Sequence, residues 1–176
     1  NNYSSWFQTN YDEINKLGLM PASFNGLDLT KNITRGEMCE LAVYAFEKAT
    51  GNDIDMSNET FTGFTDTSDE NIIKAHLYGI VNGYGDSLFG PNDPVTREQL
   101  AAILYRYAVY GGMTAVTLEE NLGSFADTAQ LSAYAIQAMN WAVGQGLING
   151  SGSNLVPKAQ ATRAQVAAII HRYLER

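Results

Sequence analysis

Ile33-Thr34-Arg35-Gly36-Glu37, Val95-Thr96-Arg97-Glu98-Gln99 and Ala161-Thr162-Arg163-Ala164-Gln165 are three versions of one pentapeptide. The Thr residues lie 62 and then 66 residues apart, a period long enough for one small supersecondary unit. Each copy predicts a helix start. Thr at the N-cap accepts from the backbone N–H of the third helical residue. Glu37, Gln99 or Gln165 at that third position reaches back to the cap's own N–H. This is a capping box, worth on the order of 1 kcal/mol at the Thr. The residue between them is out of place. Arg35, Arg97 and Arg163 stand at the first helical position, where the macrodipole disfavours a cation by a few tenths of a kcal/mol. Arg beside helix-terminal N–H groups is a ready anion site. The bland alternative is a salt bridge within the fold, to Asp66, Asp127 or a neighbouring Glu.

Apolar, helix-period runs follow each box. One reads Met38, Leu41, Ala42, Ala45, the next Leu100, Ile103, Leu104, Tyr107, and the last Val166, Ile169, Ile170, Tyr173. These match position by position and predict equivalent stripes on three equivalent helices. A shorter helix precedes each box. The first carries Trp6, Phe7, Tyr11 and Ile14. The second runs from about residue 69 to 78. The third runs from about 132 to 145, with Ile136, Met139, Ala142 and Val143 inward. Gly79-Ile80-Val81-Asn82-Gly83 and Gly146-Leu147-Ile148-Asn149-Gly150 are matching turns, and Phe64-Thr65-Asp66-Thr67 returns as Phe125-Ala126-Asp127-Thr128. A unit of two helices is too small to bury its own face, so three must share one core. The expected architecture is all-α, with units at 1–56, 57–117 and 118–176 joined through linkers at 52–63 and 113–124.

Composition narrows function. The 45% apolar and 17% charged content is globular. A net charge of −8 argues against nucleic acid and anionic membranes as general partners. The single cysteine, Cys39, forms no internal disulfide and aligns with Ala101 and Ala167 as a small core residue. No apolar run is long enough to span a membrane. The opening residues Asn1-Asn2-Tyr3-Ser4-Ser5 are no signal peptide. His76 and His171 stand apart without a second ligand at metal spacing, so neither a metal nor a cofactor is expected. No catalytic triad, phosphate loop or calcium loop is visible.

With three boxes in register and the Phe-x-Asp-Thr and Gly-aliphatic-aliphatic-Asn-Gly elements upstream of two, the chain resembles the S-layer homology domain family. The resemblance covers nearly the whole chain and implies a fold and a function. The fold is a pseudo-three-fold spindle around a three-helix bundle, a monomer that mimics a trimer. The function is non-catalytic anchoring of an exported bacterial protein at the cell surface. The partner is secondary cell-wall polysaccharide linked to peptidoglycan, often bearing pyruvate ketals. Carried over by position, Arg35, Arg97 and Arg163 are the carboxylate clamps in grooves between units.

Asn82, Gly83, Asn149 and Gly150 are turn residues whose backbone also has access to a groove. Tyr84 is a candidate for stacking on a sugar. Trp6, which aligns with Tyr134, either packs within the fold or stacks on a sugar. The first unit lacks the Gly-x-Phe-x-Pro loop, and the second unit's first helix is shorter by nearly two turns, so the grooves need not be equivalent. A helical-repeat adaptor that binds a peptide or protein in the same grooves is the second reading.

Overall fold

The computed structural model describes residues 2–56, 63–111 and 121–175. Of the expected linkers, residues 57–62 and 113–120 lie outside the described residues, as does the unit boundary at 117/118, while within the described part of the first linker Ile54 is buried in the core. Among the described residues six α-helices follow in order: α1 Gln8–Lys16, α2 Arg35–Thr50, α3 Glu70–Leu77, α4 Arg97–Tyr110, α5 Ile136–Gly144 and α6 Arg163–Leu174. Among the described residues there is no strand, only isolated β-bridges.

The three capping boxes start α2, α4 and α6 at the residues the sequence marks. Thr34, Thr96 and Thr162 Oγ1 accept from the N–H of Glu37, Gln99 and Gln165 at 3.2, 3.3 and 3.2 Å. The side chains of those three residues accept in return from the Thr N–H groups at 3.1, 2.9 and 3.0 Å. These helices converge on one core, with Met38, Leu104 and Ile170 around a common apolar centre.

A closed circuit of backbone hydrogen bonds ties the three units together. The residue before each Thr is fully buried. Ile33 N–H donates to Ala161 C=O at 3.0 Å, Ala161 N–H to Val95 C=O at 2.8 Å, and Val95 N–H to Ile33 C=O at 3.2 Å. Each unit donates to one neighbour and accepts from the other, which is what a three-fold arrangement of like segments requires.

The outer helices follow the same circuit. α3 packs on α2, α5 packs on α4, and α1 packs on α6. Each short helix therefore covers the core helix of the preceding unit, and α1 closes the ring by covering the last. Packing thus interlocks the sequence repeats, since no unit buries its own helix pair.

Two expectations change, one for an inward residue and one for the turn glycines. Ile136 is half exposed at the start of α5, while Met139 and Ala142 behind it are buried. Gly83 and Gly150 serve close packing before turn geometry. A Cβ on Gly83 would lie 2.6 Å from both the Phe64 ring and Leu88 C=O, and a Cβ on Gly150 would meet Phe125 and Asn154 as closely.

Candidate functional site: two open grooves and one closed seam

The helix starts themselves hold no free donors. Arg35 and Gly36 N–H donate to Asp93 and Pro91 C=O, Arg97 and Glu98 N–H to Ala159 and Pro157 C=O, and Arg163 and Ala164 N–H to Lys31 and Leu29 C=O. With the capping boxes, every N-terminal N–H group is satisfied by protein. The expectation of an anion on exposed helix-terminal amides is therefore corrected. The loop of the following unit covers those amides, and any anion has only side chains to meet.

The Arg side chains cross the same seams. Arg35 Nε donates to Phe89 C=O at 3.0 Å and its Nη2 donates to Asn82 C=O at 2.8 Å. Its guanidinium lies 4.4 Å from the centroids of both the Tyr84 and Phe89 rings, a cation–π sandwich. Arg97 repeats the pattern at the next seam, donating to Leu155 C=O and Asn149 C=O, each at 2.8 Å. Here Ser151 and Leu155 replace the two rings. Burial draws the Arg97 pKa down and Asp127 opposes that shift.

Asp66 and Asp127, considered above as salt-bridge partners, instead brace the loops that present these carbonyls. Asp66 accepts from Phe89 and Gly90 N–H, and Asp127 from Leu155 and Val156 N–H. The Gly90 and Phe89 amides hold Asp66 below the usual carboxylate range. Burial pushes Asp127 up, and the Leu155 and Val156 amides outweigh it, so that carboxyl is lowered too.

Two grooves open beside these Arg residues on matching positions, with Gly83 and Tyr84 lining only the first. The first, about 240 Å³, is lined by Arg35, Asn82, Gly83 and Tyr84, by Gln99, Ala102 and Arg106 on α4, and by Tyr134. The second, about 150 Å³, is lined by Arg97 and Asn149, by Gln165, Ala168 and Arg172 on α6, and by Trp6. Tyr134 and Trp6 are half exposed, at 52% and 51%, so each groove has an aromatic wall facing water. Each also holds a second guanidinium, Arg106 or Arg172. Gln99 and Gln165 do double duty: the Oε1 atom of each serves the cap, leaving the amide N–H groups to the groove. Of the nine residues singled out in the sequence, eight border these two grooves or their turns. Arg106, Arg172 and the two Gln residues extend the set.

The third seam is different. Arg163 Nε and Nη2 donate to Glu37 Oε2 and Oε1 at 2.9 and 2.7 Å, and Nη1 donates to Asp28 C=O at 2.9 Å. This fork-to-fork ion pair is the neighbouring-Glu salt bridge considered above, realised at one seam of three. Glu37, Glu40 and Tyr44 stand on α2 where the open grooves have Gln, Ala and Arg. The aromatic wall is missing as well. Counting back twelve residues from the turn glycines Gly18, Gly146 and Gly79 gives Trp6, Tyr134 and Thr67. The expectation of a first helix nearly two turns shorter in the middle unit is corrected, since α3 has 8 residues against 9 in α1 and α5. What the middle unit lacks, among the described residues, is the 3-10 turn, Ser5–Phe7 or Ala133–Ala135, that carries Trp6 or Tyr134 in the other two.

Comparison with known proteins agrees with this architecture. The S-layer homology domain model matches residues 64–101 and 124–167. The chain belongs to the S-layer homology domain family. It is 33% identical over 155 residues to an amylopullulanase of Thermoanaerobacterium thermosulfurigenes, covering 83% of this chain and 8% of that protein. It is 33% identical over 156 residues to the exoglucanase XynX of Acetivibrio thermocellus, covering 84% and 13%. A surface-layer 125 kDa protein of Lysinibacillus sphaericus is 33% identical over 101 residues, covering 55% and 8%. The chain thus spans about a tenth of the length of such relatives. S-layer homology domains are non-catalytic modules that anchor proteins at the cell surface and attach to cell-wall polymers. The chain accordingly has a cell-surface, wall-associated location. No helix among the described residues is long and apolar enough to cross a membrane.

Proposed function

We propose that the chain, as a monomer, grips an anionic cell-wall polysaccharide in its two open grooves, with a ketal-type carboxylate of a pyruvylated sugar as the charged group. The observation that carries this reading is the repeated pairing of two guanidiniums with an exposed aromatic ring, in a chain whose net charge is −8. Local positive charge of this kind is costly to assemble and matches a planar carboxylate. The ring walls, Tyr134 and Trp6, offer a flat face to a sugar ring. Tyr134 stays a neutral phenol, because burial and then Glu98 push its pKa up to about 12.

Roles divide within each groove. Arg35 and Arg97 spend two donors each on neighbouring carbonyls, so they both hold the seam and present the remaining edge of the guanidinium. Arg106 makes no hydrogen bond to protein among the described residues, and Arg172 makes one of 3.3 Å to Leu147 C=O. These two are the cations free to meet a ligand. The test is titration of purified pyruvylated wall polysaccharide into wild type, Arg106→Ala and Arg172→Ala. Each substitution is expected to weaken binding by about 1 to 2 kcal/mol at its groove. Unchanged binding in the double variant refutes the reading.

A further inference from the structure

One cluster lies away from the grooves, on the seam where α1 meets α6. His171 stands in the last turn of α6 and is 1% exposed. Glu175 follows it by one helical turn, and Glu13 faces it from α1. The His171 Nε2 atom lies 3.4 Å from Glu175 Oε1 and 4.0 Å from Glu13 Oε2, and the three donor atoms all fall within 4.8 Å of one another. Neither ring nitrogen of His171 has a hydrogen-bond partner among the described residues. A buried imidazole left this way has lost its water without replacement. Both carboxylates keep a wet side, at 52% and 54% exposure.

We propose that Glu13, His171 and Glu175 form a site for a divalent transition metal of the zinc type. Three observations converge on it. The donor set is one imidazole nitrogen and two carboxylates, a borderline mixture that suits zinc and excludes a preference for calcium. Donors on a tetrahedral zinc, bound at about 2.0 to 2.2 Å, sit about 3.4 Å apart, which is the His171–Glu175 separation. Glu13, exposed and mobile about its side-chain torsions, closes the remaining gap by a rotamer adjustment. A fourth, outward position remains for water.

The location gives the metal a task. The first and second units, and the second and third, are joined by the chain itself. The α1–α6 seam has no peptide connection, and Glu13 from the first unit meets His171 and Glu175 from the third. A metal there staples the ends of the ring.

The experiment uses the full chain, stripped with chelator and titrated with Zn²⁺ against a chromophoric competitor, with thermal unfolding in parallel. The expected result is one Zn²⁺ per chain and a Tm raised by roughly 5 to 10 °C at a hundredfold excess over Kd. Ca²⁺ at the same concentration leaves Tm unchanged. Glu13→Gln and Glu175→Gln each weaken Zn²⁺ binding at least tenfold while the metal-free Tm stays near wild type, because both side chains are exposed. Cobalt bound to the wild type gives the intense visible absorption of a tetrahedral site, absent from both variants. Substoichiometric binding, or affinity unchanged in both Glu variants, overturns the proposal. So does a Tm rise that Ca²⁺ reproduces.

Discussion

The Arg35 and Arg97 seams and the Arg163 seam are built from the same pentapeptide, yet they end in opposite electrostatic states. At the first two, the guanidinium spends its donors on backbone carbonyls of the next unit, and no carboxylate among the described residues bonds to it beside the groove. At the third, Glu37 takes two arms of the fork and neutralises it. The substitution that touches the motif Arg directly is at the third helical position. Glu37 and the two Gln residues all close a capping box, but only Glu brings a full negative charge to the adjacent Arg. On the proposed function, a residue chosen for helix capping thus also sets whether the motif Arg of its seam is available to an anion.

That contrast sets the order of expected effects. The largest is on stability at the closed seam. Arg163→Ala leaves Glu37, itself only 22% exposed, without its partner, and should cost about 2 to 3 kcal/mol in denaturant unfolding. The same variant should leave polysaccharide affinity unchanged. Next comes Arg35→Ala, which strips donors from the Phe89 and Asn82 carbonyls and empties the space between two rings. It should lose about 2 kcal/mol of stability and also weaken binding. Arg106→Ala should do the reverse of Arg163→Ala, with weaker binding and stability within about 0.5 kcal/mol of wild type.

Much of this fold was legible in the sequence because its decisive features are local. The capping boxes fix helix starts at Arg35, Arg97 and Arg163, and the apolar stripes fix which faces turn inward. The cyclic order of packing was not legible, since nothing in the first helix of a unit says that it covers the core helix of the unit before. That order follows from loops crossing to cap the neighbour's helix, a tertiary choice. It also explains why the anion-on-amides expectation failed: the amides were already occupied by Pro91, Pro157 and Leu29 carbonyls. Arg106 and Arg172 went unremarked because each lies nine residues past its motif Arg. A signal was nonetheless present. Gln99, Ala102, Arg106 and Gln165, Ala168, Arg172 share one helical face with a small residue at the centre, and the first unit breaks the pattern with Glu37, Glu40 and Tyr44. Half of the His171 cluster was legible, since Glu175 follows it at i,i+4 on the same helix, whereas Glu13 comes to it from a distant stretch of the chain.

A smaller effect concerns acid. Asp66 and Asp127 are lowered from an ordinary value of 3.8, so the stability they supply is fully present above that pH and drains as pH falls through the lower folded value. Asp66→Asn and Asp127→Asn should flatten the acid limb of Tm against pH below about pH 4. Both carboxylates brace loops at the open grooves, so those two seams contribute to the acid limb, together with Asp28, Glu47 and Glu98, which are lowered as well.

The direct measurement of the central claim is the stoichiometry of a soluble, single-carboxylate pyruvylated sugar on the full chain by calorimetry. Two sites are expected, one lost in Arg106→Ala and the other in Arg172→Ala, with Arg163→Ala still binding two. Three equivalent sites, or two sites that survive in the Arg106→Ala, Arg172→Ala double variant, would contradict it.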